Sequence, residues 1–144
     1  LRVSKIKRHM PKYRNKQYLK RIIAGGKELN ILTCHLILQG YSYDEAIKGL
    51  EPYVSDWEQS VKYIEEMSVN YMGYSEEYDH DLWARTELYE VLKYASEEEI
   101  YHYRNRISKA DLAFKDCTVE SNFPNNHIEH PDKLEHWWLF RVIK

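Results

Sequence analysis

SDWEQSVKYIEEMS, residues 55–68, sets Trp57, Val61, Ile64 and Met67 or Ser68 at intervals of four, three and three or four, with mostly polar residues filling the gaps. That is the period of one face of an α-helix and not of a strand, whose faces alternate every second residue. Pro52 and Ser55-Asp-Trp-Glu58 mark its start, and Gly73 lies past its end. Toward the N-terminus the period recurs in Tyr18, Ile22, Leu29, Leu32 and Leu36, which predicts a first helix over about 12–39, stopped by Gly40. Its weak point is Gly25-Gly26, since each glycine costs roughly 1 kcal/mol relative to alanine in a helix interior; a kink or a very close neighbour is expected there. Ser42-Tyr-Asp-Glu45 has the spacing of a capping box and opens a short helix to about Leu50.

Toward the C-terminus, Tyr78, Leu82, Arg85 or Leu88, and Leu92 predict a fourth helix to about Ala95. Ser96-Glu-Glu-Glu99 is the clearest helix start in the chain, with an N-cap serine and carboxylates at the positive end of the helix dipole. Ile100, Tyr103 or Arg104, and Ile107 form the inner face of that helix, and Leu112, Phe114 and Cys117 suggest a further short one. NFPNNHIEHPD, residues 122–132, reads as a loop, and Asp132-Lys-Leu-Glu135 as the cap of a last helix carrying Leu134, Trp137, Trp138, Phe140 and Ile143. No segment sustains period-two alternation. The expected fold is all-α: a single domain over 1–144, an antiparallel array or bundle of about five to seven helices, with a flexible basic segment at 1–11.

A chain of 144 residues is long enough for one core and short for two. Its longest apolar run, Ile31 to Leu38, is broken by Thr33, Cys34 and His35, far below the roughly 20 residues of a membrane span. The basic opening LRVSKIKRHMPKY lacks the apolar stretch of a secretory signal, so a cytoplasmic protein is expected. Cys34 and Cys117, without CxxC spacing, read as two reduced thiols.

Charge is divided unevenly. Residues 1–27 hold ten Lys/Arg and no acid, whereas the remainder holds eleven bases against twenty-three acids. Residues 56–99 carry thirteen of those acids and only Lys62, Arg85 and Lys93 as bases, so the middle of the chain projects a negative field.

Candidate chemistry is sparse. His127, His130 and His136, with Glu129, Asp132 and Glu135, are residue types that hold divalent metals, but Pro124 and Pro131 bracket the cluster as a loop and no HExxH is present. Glu76, Glu77, His80 and Asp81 are accounted for by carboxylates at a helix start. There is no phosphate-cradling glycine loop, nucleophile elbow or Cys/His pairing. The expectation is a protein that is not an enzyme and needs no cofactor or metal. The basic residues of 1–27 could neutralise nucleic-acid phosphates, which makes a nucleic-acid-binding regulator the alternative function; the acidic body opposes it.

Thirteen tyrosines and four tryptophans exceed the needs of a small helical core, and many tyrosines fall among acids. Aromatic residues with polar ends are enriched at interfaces, and acids around them steer a basic partner. The candidate partner-binding residues are Glu65, Glu66, Tyr74, Glu76, Glu77, Tyr78, Asp79, Asp81, Glu97 and Glu98.

ILTCHLILQGYSYDEAIKGLEPYVSDWEQSVKYIEE (31–66) and YDHDLWARTELYEVLKYASEEEIYHYRNRISKADLAFKDCTVES (78–121) resemble the successive helices of the PoNe immunity (PoNi) proteins, over about residues 12–120. The resemblance implies a cytoplasmic immunity protein that binds a cognate toxin, a nuclease in that family, and blocks its active site. A nuclease presents a basic groove to phosphate, to which an acidic, tyrosine-bearing surface is complementary.

Overall fold

The computed structural model describes residues 12–69, 76–125 and 127–144, with side chains from Asn15 onward. The described residues form six helices and one small sheet, an all-α fold: α1 (Lys12–Ala24), α2 (Ile31–Leu38), α3 (Tyr43–Ala46), α4 (Glu51–Val69), α5 (Glu76–Leu92), α6 (Glu97–Asp116), β1 (Thr118–Glu120), a 3-10 turn (Trp137–Phe140) and β2 (Arg141–Ile143). They divide into two compact units. The first holds α1 to α3 with the turn Tyr94–Glu97, and the second runs from Leu50 to Lys93 and from Glu98 to Lys144.

In the first unit the long helix expected over 12–39 is two helices. Gly26 adopts φ +77°, a left-handed conformation that ends α1 where a side chain would be strained. Asn30 then starts α2, its side-chain oxygen accepting from the Thr33 amide at 2.7 Å. Leu32, Leu36, Ile37, Tyr41 and Ala46 are buried. The short helices are clasped by side chains: Asn15, itself buried, donates to the Leu38 carbonyl (2.8 Å), and the Tyr18 hydroxyl accepts from the Tyr43 amide (2.8 Å). Ser42 caps α3 as expected, accepting from the Glu45 amide while its hydroxyl donates back to the Glu45 carboxylate. Tyr94 belongs to this unit through its ring, stacked flat on His35 at 3.7 Å.

The second unit is built on α4 and α5, which pack on one another and stand only six residues apart in sequence, as antiparallel neighbours do. Trp57, Val61, Ile64 and Met67 are all buried, as their spacing requires. The inner face of α5 is mixed: Tyr78, Leu82, Leu88 and Val91 are buried, and so are Asp81, Arg85 and Thr86. Arg85 lies where a hydrophobe would be expected, and its charge is met by Asp111 of α6, with Nε to Oδ1 at 2.9 Å and Nη2 to Oδ2 at 3.2 Å. Asp111 also accepts from the Trp57 indole (2.9 Å), and the guanidinium lies 4.7 Å from the Trp138 ring. α6 is one helix through Asp116, not a helix followed by a short second one. It buries only Ile107, Ala110 and Phe114, so most of its length faces water. Glu99, read as part of its cap, accepts from the Leu50 amide at 3.1 Å and so satisfies a free donor at the start of α4.

The last helix expected from Asp132 is instead a turn and a strand. Asp132 does cap, accepting from the Leu134 and Glu135 amides, but the chain tightens into the 3-10 turn and then extends. Trp138, Leu139 and Phe140 are buried consecutively, which a one-sided helix cannot achieve. β2 pairs antiparallel with β1, Val119 opposite Val142 and Glu120 opposite Arg141. The β-branched residues suit an extended ladder, and Arg141 reinforces it by donating to Thr118 Oγ1, the Thr118 carbonyl and the Lys115 carbonyl at the end of α6.

Candidate protein-binding site

Glu65 and Glu66 are exposed near the end of α4, and Glu76 and Glu77 are exposed in the first turn of α5. The antiparallel pairing brings these four carboxylates to the same end of the α4–α5 hairpin. Tyr74 lies outside the described residues. The end is not purely acidic: Lys115 and Lys144 are exposed nearby, and the Cys117 thiol senses both Glu65 and Lys144. Burial, aided by Glu65, pushes that thiol up to about 11. Neither cysteine is bonded to another.

Two residues of the expected contact set are inside. Tyr78 is fully buried and its hydroxyl donates to the Arg141 carbonyl at 2.6 Å; Asp81 is also in the core. Both lie on the inward face of α5, one helical turn apart with Leu82 and Arg85, so they cannot present themselves to a partner. Asp79 is half-buried and accepts from the Asn125 side chain. Glu97 is exposed and belongs to the first unit, whereas Glu98, exposed in the second, follows the other end of α5, a helix about 25 Å long at its 17 residues. Within the second unit, the described members of the expected set therefore do not form one patch.

Several tyrosines among the acids make bonds within the chain. The Tyr89 hydroxyl donates to Glu135 at 3.2 Å, and Tyr103 bonds Glu51; burial and these carboxylates raise both phenols above their ordinary range. Glu51 also accepts from Arg106, which bridges it to Glu58 across α4 and α6 and holds the Glu51 carboxyl below its usual range. Tyr101 and Tyr94 are the tyrosines most open to solvent among the described residues.

The three histidines of the C-terminal loop have separate surroundings. His127 Nε2 lies 2.8 Å from Thr86 Oγ1, and its ring stacks on Trp83. His136 Nδ1 accepts from the Asp132 amide, and its ring meets Tyr89 and Trp138 edge-on. His130 is exposed, at φ 53°. Among the described residues no three His, Cys, Asp or Glu side chains are grouped to hold a metal ion. No helix among them is long and apolar enough to cross a membrane.

Sequence reasoning passed over Trp83. It is 40% exposed, on an outward stripe of α5 formed by Glu76, His80, Trp83, Glu87 and Glu90 at spacings of four, three, four and three. The signal was present: with Tyr78, Leu82 and Leu88 assigned inward, Trp83 falls out of phase with the core. Of the other tryptophans, Trp57 and Trp138 are fully buried and Trp137 is half-buried. In the first unit, Lys16, Lys20 and Arg21 are exposed along α1, and Lys27 sits over the Tyr43 ring. Comparison of the chain with family models, with characterised proteins and with solved structures returns no match.

Proposed function

We propose that this chain binds a basic protein and blocks it by occlusion, as an immunity protein does its toxin, with a nuclease as the partner. The observation that carries the reading is the placement of Glu65, Glu66, Glu76 and Glu77, four exposed carboxylates at one end of a helical hairpin with a packed core. Carboxylates held on regular helices keep their spacing, so they steer a partner's positive groove into register and raise the encounter rate more than the final affinity. The helix-by-helix resemblance to the PoNe immunity proteins supplies the toxin class.

The test is co-expression with the product of the gene immediately upstream, followed by purification. A one-to-one complex that silences a toxic partner, and that is lost in Glu65→Lys/Glu66→Lys/Glu76→Lys/Glu77→Lys with helicity unchanged, is the expected result. A complex that survives those four reversals removes this end of the hairpin from the interface. The second reading, nucleic-acid binding, draws on the exposed bases of α1. It requires salt-dependent DNA affinity that disappears when residues 1–27 are deleted.

A further inference from the structure

We propose that Trp83 is the anchor of the partner-binding surface and receives a guanidinium or ammonium side chain of a basic protein; this rests on the reading of the chain as a binder of such a partner. Trp83 leaves two-fifths of its surface in water, whereas Trp57 and Trp138 are wholly buried, and tryptophan is among the side chains that most often carry the binding energy of an interface. The outward stripe around it carries acids and one histidine: His80 precedes it by one turn, half-buried Glu87 follows one turn later, and Glu76 precedes it by two turns. Glu90, further along, is matched by Lys93 at 3.1 Å. Cations are drawn to such a stripe, and indole is the ring that holds a cation best. Among the described residues no arginine or lysine sits over Trp83, although Arg104 lies 4.8 Å from the exposed Tyr101 ring and Arg85 lies over Trp138.

The indole is also held in place. His127 stacks on it at 4.2 Å with 24° between the planes. His127 Nε2 is tied to Thr86 Oγ1, and Thr86 accepts from the indole nitrogen of Trp138 at 2.9 Å, deep in the core. A contact chain thus runs from the buried Trp138 to the exposed Trp83, so its rotamer freedom is already restricted before a partner arrives. Burial also holds the His127 imidazole below its usual range, so near pH 7 the ring behind Trp83 is uncharged and does not repel an incoming cation.

The experiment uses the full chain with hexa-arginine as probe and hexa-citrulline, its uncharged analogue, as control. Indole N–H resonances are followed by NMR, with helicity checked by circular dichroism. Hexa-arginine is expected to move the Trp83 resonance, and hexa-citrulline to leave it in place. Trp83→Ala is expected to weaken hexa-arginine by roughly five- to tenfold, with Trp83→Phe, which keeps a ring on His127, retaining most of the affinity. Unchanged affinity in Trp83→Ala, together with loss in the four-carboxylate reversal, overturns the anchor and leaves the proposed function standing. No binding of hexa-arginine to the unaltered chain overturns the anchor as well, and the co-purification then decides the function by itself.

Discussion

The two compact units solve the same problem, how to hold short stretches of helix together, with different chemistry. In the first, neutral side chains reach across to backbone groups: Asn15 to the Leu38 carbonyl, Tyr18 to the Tyr43 amide, Asn30 to the first turn of α2. In the second, a charge is taken into the core, where Asp111 gathers Arg85 and the Trp57 indole while Trp138 covers the guanidinium. A neutral clasp fails by degrees, since losing it costs one modest bond. A buried ion pair fails abruptly, because removing one partner leaves the other as an unpaired charge away from water.

The largest expected effect is therefore in the second unit. Asp111→Ala should destabilise it by about 3–5 kcal/mol in urea unfolding, and Arg85→Met added to it should restore much of that loss. If the single variant unfolds at nearly the original denaturant concentration, the contrast between the units collapses. Asn15→Ala, in the first unit, should cost about 1–2 kcal/mol, the ordinary consequence of deleting one buried donor. Gly26→Ala should cost about 1 kcal/mol because of its left-handed φ. Gly25→Ala, whose added methyl would meet the Arg21 carbonyl only at ordinary contact distance, should be tolerated; equal losses at both glycines would show that conformation is not what sets them apart.

The smallest effect is a pH slope in the second unit. Burial lowers the His127 pKa in the folded state, so the folded protein binds fewer protons than the unfolded chain. The stability associated with a neutral His127 is complete above its unfolded value of about 6.5 and is lost as pH falls through the folded value. Unfolding measured from pH 7.5 downward should show that slope in the unaltered chain and a shallower one in His127→Gln.

What could be read from the residues follows this same division of chemistry. Apolar period gave α4, α5 and most of α6 with their buried faces, because Trp57, Val61 and Ile64 answer to a local rule. The break at Gly26 was visible as a weak point, but its form depends on Asn30 starting a new helix four residues later. The ribbon was not legible: Val142 and Ile143 become a strand only because β1, more than twenty residues earlier, is there to pair with them. The candidate site was legible in its exposed carboxylates at Glu65, Glu66, Glu76 and Glu77. It was misread at Tyr78 and Asp81, where charge and aromatic content were taken as surface while helix phase turned both inward.

The closing of the second unit over Trp138, Leu139 and Phe140, with Tyr78 bonded to the Arg141 carbonyl, also has a consequence for synthesis. On the ribosome, α4 and α5 emerge long before the segment that covers them, so their inner faces wait unsealed until residues 138–140 have been made. A nascent chain halted before residue 138 leaves the Arg85 guanidinium without its aromatic cover and the Thr86 hydroxyl without its indole donor, and it is the form most exposed to chaperones and proteases.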